Sequence, residues 1–487
     1  MTTDTTVPSL SMFVAGAWAR AASGEQFEAT SPSSGSRIAL LARGDRADAR
    51  RAIAAAAAAG AGWAARSAFD RAAALERVAT VIESRRDVLA RTLTLDQGKP
   101  LHAEAYDEVD ELVRYFTMAA ADATRLDGLL MPSMDAAKRV LVYRVPLGVV
   151  GVITPWNWPY TMPAELIAPA LAAGNTVVWN PASNTSLCAV RLAECIVDAD
   201  LPSGVFNLVT GPGAEVGDEI AGHQETAAVA FIGSTEAGRK VAQRASGKQV
   251  ILEMGGNGPL VVLDDADVDA AVAATLTACF LNAGQSCTAA EHVLVHEAVH
   301  DRYLARLTAA IAREVRLGDP FDPATTMGPL NNEPTAAKTE RHVGDALAGG
   351  ARLVAGGRRL EGRGSRLFYE PTVLDGVTDA MEIARDETFG PVSPITTIRS
   401  DDEAIAVVNG SPFGLMSAVF TRDLGRGLRF AESVRAGWVN INEGTNYWES
   451  HLPFGGRSGS QSGLGRVGGR FALERLTELK TVVVNLA

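Results

Sequence analysis

The sequence predicts an α/β protein with two parallel-sheet units, because short apolar segments alternate with helix-like stretches along much of the chain. Each segment has the length of a buried strand, and strands that alternate with helices form parallel sheets with helices on both faces. The first unit is predicted from the segments 149–153, 176–179, 205–209 and 229–232. The second unit is predicted from the segments 260–263, 292–295 and 418–420.

Other elements are predicted before, between and after these units. Residues 45–95 are rich in Ala, Leu, Arg and Glu, so they are predicted to be helical up to the Gly and Pro of 96–100. Residues 139–144 have the pattern of a short strand, and a similar apolar segment, 481–486, closes the chain. These two segments are expected to pair although they are far apart in sequence. Residues 356–364 are predicted to form a surface loop.

Composition and charge limit the classes of partner. The chain has 487 residues, 47% of them hydrophobic and 21% charged, which is ordinary for a protein of several globular domains. The formal net charge of −12 argues against nucleic-acid and anionic-membrane partners and favours small molecules. Four cysteines without a C-x-x-C pair indicate a reducing compartment, and residues 1–10 do not resemble a signal peptide. A cytoplasmic protein is therefore expected.

A predicted strand runs into a turn and a helix start at residues 229–238. Glycines at positions 233 and 238 give a G-x-x-x-x-G spacing, which places backbone N–H groups at a helix N-terminus, where a pyrophosphate can bind. Glycines at such turns are also common structural punctuation, and the usual G-x-G-x-x-G spacing is absent. The turn by itself therefore leaves both interpretations open.

One of the four cysteines is a candidate nucleophile. Cys287 follows the small polar loop of residues 281–286, where a thiol is accessible and its thiolate can be stabilised by backbone N–H groups. Cys279, Cys188 and Cys195 lie in apolar helix-like stretches and are interpreted as packing residues.

Three further segments complete a pattern with Cys287 and the 229–238 turn. They are ITPWNWP at 153–159, LEMGGNGP at 252–259 and ETFGP at 387–391. PFGG follows at 453–456. With these segments, the chain resembles the aldehyde dehydrogenase superfamily over nearly its whole length, and the separation between the 252–259 segment and Cys287 also matches that family.

The residue types in these segments suit aldehyde oxidation. A thiolate at Cys287 adds to the aldehyde carbonyl, and the Asn157 side chain and the Cys287 backbone N–H stabilise the oxyanion. Hydride transfer to a nicotinamide leaves a thioester, and Glu253 is the natural base to activate the hydrolytic water. The resemblance therefore implies Cys287, Glu253 and Asn157 as catalytic residues and a carboxylic acid as the product.

The resemblance also implies NAD as the cofactor. The residues that it assigns to the cofactor site are Ile153, Thr154, Pro155, Trp156, Asn180, Ser183, Gly213, Phe231, Gly233, Ser234, Gly238, Met254, Glu387 and Phe389. Asn180 stands where a lysine is usual, and Ser183 where an acidic residue is frequent. Because no carboxylate at position 183 repels a 2′-phosphate, NADP is expected to be accepted as well. A third departure, the longer segment 457–467, is expected to change the C-terminal wall of the site.

The domain layout is implied by the resemblance in the same way. A split Rossmann-like, dinucleotide-binding domain is expected over 1–125 and 147–254, and an α/β catalytic domain that bears the thiol over 255–452. A small β extension, made of 126–146 and 465–487, is expected to join copies of the chain into a homodimer or homotetramer.

The substrate pocket is expected around Cys287, after Asn157 and in the loop before PFGG. The residues concerned are Trp158, Tyr160, Met162, Ser286, Thr288, Tyr447 and Trp448. They are mostly aromatic or apolar and include no arginine to pair with a carboxylate. Neutral aliphatic or aromatic aldehydes are therefore expected to be better substrates than succinate semialdehyde.

Two other enzyme classes compete with this interpretation. His296 and His300 form an H-E-x-x-H string typical of zinc hydrolases, but the string begins at the end of the strand 292–295 and no third ligand follows nearby. A cysteine hydrolase or acyltransferase without a redox step would need a histidine paired with Cys287, and only His292 is close to it in number. No metal site is therefore expected.

Overall fold

The structure, a computed structural model of the chain, describes residues 7–487. The expectation about a signal peptide concerns residues 1–10, of which 1–6 lie outside the described residues. The strands are β1 (Ser9–Leu10), β2 (Met12–Val14), β3 (Ala17–Ala19), β4 (Gln26–Thr30), β5 (Arg37–Ala42), β6 (Leu129–Met131), β7 (Lys138–Pro146), β8 (Val149–Thr154), β9 (Thr176–Pro181), β10 (Phe206–Leu208), β11 (Thr226–Ile232), β12 (Gln249–Glu253), β13 (Pro259–Val262), β14 (His292–His296), β15 (Arg352–Ala355), β16 (Thr372–Asp375), β17 (Val392–Ile398), β18 (Met416–Phe420), β19 (Trp438–Ile441), β20 (Gly463–Leu464) and β21 (Thr477–Asn485).

Fifteen α-helices connect and cover these strands in the described part of the chain. They are α1 (Arg46–Ala64), α2 (Ala68–Ser84), α3 (Arg86–Asp96), α4 (Tyr106–Ala123), α5 (Thr161–Ala172), α6 (Ser186–Asp198), α7 (Asp218–Gly222), α8 (Thr235–Arg244), α9 (Val268–Phe280), α10 (Glu297–Glu314), α11 (Glu333–Ala348), α12 (Glu382–Arg385), α13 (Asp401–Gly410), α14 (Leu424–Ser433) and α15 (Gly469–Arg475). The predicted helical region 45–95 is confirmed and consists of α1, α2 and α3. Asp45 and Ser67 cap the first two helices with capping boxes, which explains where the region divides.

The first large sheet contains eight strands in the order β20-β12-β11-β8-β9-β10-β2-β3. The five strands from β12 to β10 run parallel, whereas β20, β2 and β3 are antiparallel additions at the two edges. Every residue of β8 and β9 is buried, as expected for strands covered by helices on both faces. The first predicted parallel unit is therefore confirmed.

The second large sheet has the order β15-β16-β17-β14-β13-β18-β19 and is parallel except for β15. The three predicted strands form its centre as β14, β13 and β18. Its other strands are not predicted from the sequence. In β17, Pro394 and two threonines interrupt the apolar run, so the strand does not have the pattern of a buried segment. The α/β fold class with two such units is confirmed.

Two smaller sheets complete the described chain. One has the order β1-β5-β4, and the other has the order β21-β7-β6. In the latter, β21 pairs antiparallel with β7 over nine residues, with Thr481 opposite Val142, so the expected pairing of the two distant segments is confirmed. The domain boundaries given above stay a prediction. No helix within residues 7–487 is long and apolar enough to cross a membrane.

Candidate active site

A cavity lies where β8, β11 and β12 of the first sheet end, the edge at which parallel sheets usually bind ligands. Its other walls come from α11, from the Cys287 loop and from the segment before β17. The predicted site residues that line it are Pro155, Trp156, Asn157, Met162, Gly233, Ser234, Glu253, Cys287, Glu387 and Phe389. Segments that are more than 200 residues apart in sequence therefore meet in one place.

Cys287 is presented by a tight loop after α9. Asn282 and Ala283 have positive φ angles of 50° and 53°, and Gly284 follows at 74°. A Cβ at Gly284 would lie 2.1 Å from the carbonyl oxygen of Gly390, so only glycine fits there. The backbone N–H of Asn282 anchors the loop, because it donates to the Glu104 carboxylate at 3.0 Å. This strained loop holds Cys287, which is half-buried, at the cavity wall.

Asn157 is fixed beside the same loop. Its side-chain Nδ2 donates to the backbone carbonyl of Gln285 at 3.1 Å, and its backbone carbonyl accepts from Asn282 Nδ2 at 2.9 Å. The side-chain amide has two N–H donors, so one remains for a ligand. Asn157 is 4% exposed, and a donor in so dry a position interacts strongly with a developing negative charge.

We expect Asn157→Ala to lower both kcat and kcat/KM roughly a hundredfold, because it removes one donor to the oxyanion. This corresponds to a loss of about 3 kcal/mol of transition-state stabilisation. Steady-state kinetics with a fixed aldehyde measure the effect, and circular dichroism checks that the loop network still allows folding. Unchanged rate constants would remove Asn157 from the oxyanion site.

Glu253 ends β12 and faces Cys287 across the cavity. It is 2% exposed, and burial raises its pKa to about 8, against a lowering influence of the Cys287 thiol. The next residues pass close to the cysteine, since a Cβ at Gly256 would lie 2.4 Å from the Cys287 carbonyl oxygen. The pKa of the Cys287 thiol is raised well above its usual range, mainly by burial and then by Glu253.

The antiparallel edge strand β20 supports the Glu253 end of β12. Gly463 lies opposite Glu253 and Leu464 opposite Leu252, while Ser462 Oγ donates to the Gly255 carbonyl at 2.7 Å. The unusual segment 457–467 therefore contains the strand that positions Glu253.

Glu387 and Phe389 form a polar and an aromatic part of the cavity. Glu387 accepts the backbone N–H of Gly256 at 3.0 Å, and the rings of Phe389 and Trp156 pack edge to face at 5.6 Å. Two further residues that line the cavity, Thr335 and Lys338 on α11, are not predicted from the sequence. They lie one helical turn apart and belong to no motif, so only the packing of α11 against the cavity reveals them.

A second cavity adjoins the first at Ser234. It is lined by Ile153, Gly213, Ala214, Asp218, Ala221, Phe231, Ser234, Glu236, Ala237, Lys240, Val241 and Arg244. Ser234 caps α8, so the first backbone N–H groups of this helix lie between the apolar end of the second cavity and the Cys287 cavity. The two joined cavities fit an extended dinucleotide, with an apolar end for a base and a helix start for phosphates.

Some predicted cofactor residues have other contacts. Thr154 Oγ1 accepts from Trp179 Nε1 at 2.8 Å, and Asn180 Nδ2 donates to the carbonyl oxygens of Val209 and Gly211. Met254 packs against Gly238 beneath α8, where a Cβ would lie 2.2 Å from its sulfur. Ser183 lines a separate surface pocket with residues that precede α11.

The predicted substrate residues are also divided. Tyr160 is fully buried and donates its hydroxyl to the Leu89 carbonyl at 3.2 Å, so its placement in the pocket is wrong. The hydroxyls of Ser286 and Thr288 are hydrogen-bonded to each other at 2.9 Å, and both residues are buried. The Trp158 ring stacks on the buried ammonium of Lys99.

Two aromatic residues come from the loop before PFGG. The Tyr447 hydroxyl donates to Glu449 at 2.6 Å at the surface, whereas Trp448 stacks on Tyr115 with ring centroids 6.4 Å apart. Of the seven predicted substrate residues, only Met162 lines the cavity directly.

The two competing interpretations lack their required geometry. His296 precedes α10 as its N-cap and accepts from the Ala298 N–H, so it does not share a helical face with His300, which contacts Asp375 at 2.8 Å. His292 lies on β14 against Thr396, and burial lowers its pKa to about 4. Within residues 7–487 the cavity beside Cys287 is lined by no histidine.

These features place a thiol and a buried carboxyl in one cavity, next to a second cavity at the start of α8. The aldehyde dehydrogenase family model matches residues 18–482. The chain belongs to the aldehyde dehydrogenase family, and it is an oxidoreductase that converts aldehydes to carboxylic acids with NAD(P)⁺.

Similar proteins extend this comparison. The chain is 41% identical to 3-sulfolactaldehyde dehydrogenase of Pseudomonas putida, covering 96% of each protein. It is 39% identical to an NADP-dependent succinate-semialdehyde dehydrogenase of Escherichia coli, covering 97% of each. The structure is similar to that of betaine aldehyde dehydrogenase from Staphylococcus aureus in complex with NAD⁺, with a TM-score of 0.94 and 33% identity over 98% of this chain and 95% of that one.

Proposed function

We propose that the protein oxidises aldehydes through a covalent thioester on Cys287, with Asn157 as oxyanion donor and Glu253 as the base for hydrolysis. The observation that carries this proposal is the convergence of the three side chains on one cavity at the end of the dinucleotide cleft. Each residue has the chemical character that its step requires.

The first half of the reaction is acylation. The Cys287 thiol loses its proton to a water molecule in the partly open cavity, and its sulfur attacks the aldehyde carbon. The free N–H of Asn157 and the backbone N–H of Cys287 stabilise the oxygen of the resulting thiohemiacetal. When bound, NAD(P)⁺ would supply the acceptor for the hydride that leaves the thiohemiacetal carbon. Glu387 and Phe389 would hold its nicotinamide end, and the start of α8 after Ser234 would hold its pyrophosphate.

The second half is hydrolysis of the thioester. Glu253 takes a proton from a water molecule whose oxygen attacks the acyl carbon. The C–S bond then breaks and releases the carboxylic acid and the Cys287 thiolate, to which Glu253 returns the proton. Because burial raises the pKa of Glu253 to about 8, this carboxyl is a stronger base than an exposed glutamate.

A spectrophotometric assay tests the proposed function directly. With a panel of aldehydes and NAD⁺ or NADP⁺, absorbance of the reduced nicotinamide should rise and the matching carboxylic acid should accumulate in equal amount. Acid formation without cofactor reduction would indicate a hydrolytic enzyme, and no reaction with any aldehyde would overturn the proposal.

The cofactor is proposed to be NAD⁺, with NADP⁺ accepted. Asn180 is committed to backbone carbonyls and Ser183 carries no charge, so neither a lysine nor a carboxylate selects between the two nucleotides. We expect kcat/KM for the two to differ by less than about a hundredfold, or 2.7 kcal/mol. Ser183→Glu should shift the ratio toward NAD⁺, and a strict preference for NADP⁺ in the wild type would contradict this.

We further propose a homodimer or homotetramer that works in the cytoplasm. The β21-β7-β6 sheet exposes apolar residues, which are Leu129, Leu130, Met131, Leu141, Leu479, Val483 and Val484. A second copy would cover this surface, and light scattering of the purified protein measures the number of copies. The four thiols are free, as expected for a reducing compartment.

A further inference from the structure

Glu165 is a buried carboxyl that the reaction described above does not use. It lies on α5 and is 2% exposed, and within residues 7–487 its Oε1 has no hydrogen-bond partner. Burial raises its pKa well above the usual range, and the nearby carboxyls Glu253 and Glu111 raise it further. The Tyr115 hydroxyl lowers this pKa, but no cation within residues 7–487 is among the groups that act on it, so the buried carboxyl lacks a compensating charge.

Glu165 lies next to the Cys287 cavity, close enough for its charge to act on the Cys287 thiol. Met162 lines that cavity and precedes Glu165 by three residues on α5, so the two side chains share one face of the helix. The charge of Glu165 contributes to raising the pKa of Cys287, and the charge of Glu253 contributes to raising the pKa of Glu165, as expected for a neighbour of the reacting groups.

The surroundings of Glu165 are acidic and aromatic. Tyr115 and Glu111 are one turn apart on α4, which packs against α5. Tyr115 is buried, and its hydroxyl also lacks a hydrogen-bond partner within residues 7–487. The Trp448 ring stacks on Tyr115 at 6.4 Å. Two unsatisfied oxygen atoms beside aromatic faces form a set that accepts N–H donors and attracts a cation.

We propose that Glu165, with Tyr115 and Glu111, binds a protonated amine on the substrate, so that the preferred substrates are aldehydes with an ammonium group at the far end. This inference rests on the proposed function, because it concerns the acyl side of the same cavity. The ammonium donates to the Glu165 carboxylate, and its charge compensates the acidic wall. A substrate carboxylate would instead meet Glu165 as a like charge.

A matched pair of substrates isolates the charge. 3-Aminopropanal and butanal have the same number of heavy atoms. The end far from the aldehyde is an ammonium group in 3-aminopropanal and a methyl group in butanal. We expect kcat/KM for 3-aminopropanal to be at least about tenfold higher, the lower end for a charged hydrogen bond. Succinate semialdehyde should be the poorest of the three. Equal or better turnover of butanal would overturn the inference while the proposed function stands.

Two variants connect the preference to the carboxyl. Glu165→Gln keeps the size of the side chain and removes its charge, so the ratio of kcat/KM between 3-aminopropanal and butanal should fall to about one. Glu76→Gln removes the same charge from the exposed face of α2, and it should leave the ratio at the wild-type value. A ratio that is retained in Glu165→Gln would contradict the role of Glu165.

A binding measurement needs neither catalysis nor a stable variant. Calorimetric titration of the wild-type protein should show that n-butylammonium binds and that butyrate does not, and n-butylammonium should compete with 3-aminopropanal. Binding of butyrate in preference to n-butylammonium would overturn the inference. Failure of every aldehyde to reduce the cofactor, with n-butylammonium still bound, would overturn the proposed function alone.

Discussion

Replacement of Cys287 by alanine is expected to lower aldehyde oxidation by about 10⁴-fold or more, because no other group can form the covalent intermediate. Binding of NAD⁺ should be retained, since the dinucleotide cleft is built from other elements. Steady-state assays measure the first effect. Quenching of tryptophan fluorescence measures the binding of NAD⁺, because Trp156 lines the Cys287 cavity, which adjoins the dinucleotide cleft.

Cys279→Ala is the matched control for this variant. Cys279 lies eight residues earlier, on α9, where its thiol contacts the Ala290 carbonyl and burial raises its pKa to about 12. Its loss should cost some stability but should leave the activity of the folded enzyme close to that of the wild type. Substantial turnover in Cys287→Ala would contradict covalent catalysis by this residue.

The sequence predicted the part of the site that depends on backbone geometry. Residues such as Gly256 and Gly284 occur where the chain approaches Cys287 or Gly390 too closely for a Cβ, and such requirements create motifs with fixed spacing. Cys287 and Glu253 lie within these motifs, which is why their convergence could be expected before the structure was known.

The remaining site residues could not be predicted because they depend on helix packing. On α5 and its approach, Met162 lines the cavity, whereas Tyr160 points the other way, toward Leu89. Proximity to Asn157 in sequence therefore selected Tyr160 although its side chain faces away from the cavity. Lys338 was missed for the same reason, since the sequence does not show which face of α11 meets the cavity.

The strands of the second sheet show the same limit. A strand that is apolar throughout, such as β13, is evident from the sequence. β17 is buried along most of its length although it contains Ser393 and Pro394, because β16 and β14 pair with its two edges and α9 and α10 pack against it. Burial of a polar strand is a property of the assembled sheet, and local pattern does not reveal it.

Glu253→Gln is expected to block the second half of the reaction more than the first. The amide keeps the size of the carboxyl but cannot take a proton from water, so steady-state turnover should fall by about 10² to 10⁴-fold. The first turnover should still reduce cofactor, and a stopped-flow trace should show a burst close to one equivalent per active site. Mass spectrometry should then find the acyl group on Cys287.

The pH dependence gives a second test of the same residue. As the proposed base, Glu253 has to be a carboxylate, and burial raises its pKa to about 8, so the rate of thioester hydrolysis in the wild type should rise with pH up to about 8 and level off above it. This rise should be absent from Glu253→Gln. Asp96→Asn is the control, since Asp96 is also a buried carboxyl with a pKa of about 7 but is bonded to the Cys188 backbone N–H. A wild-type profile in Glu253→Gln, or the absence of an acyl adduct on Cys287, would assign the base to another group.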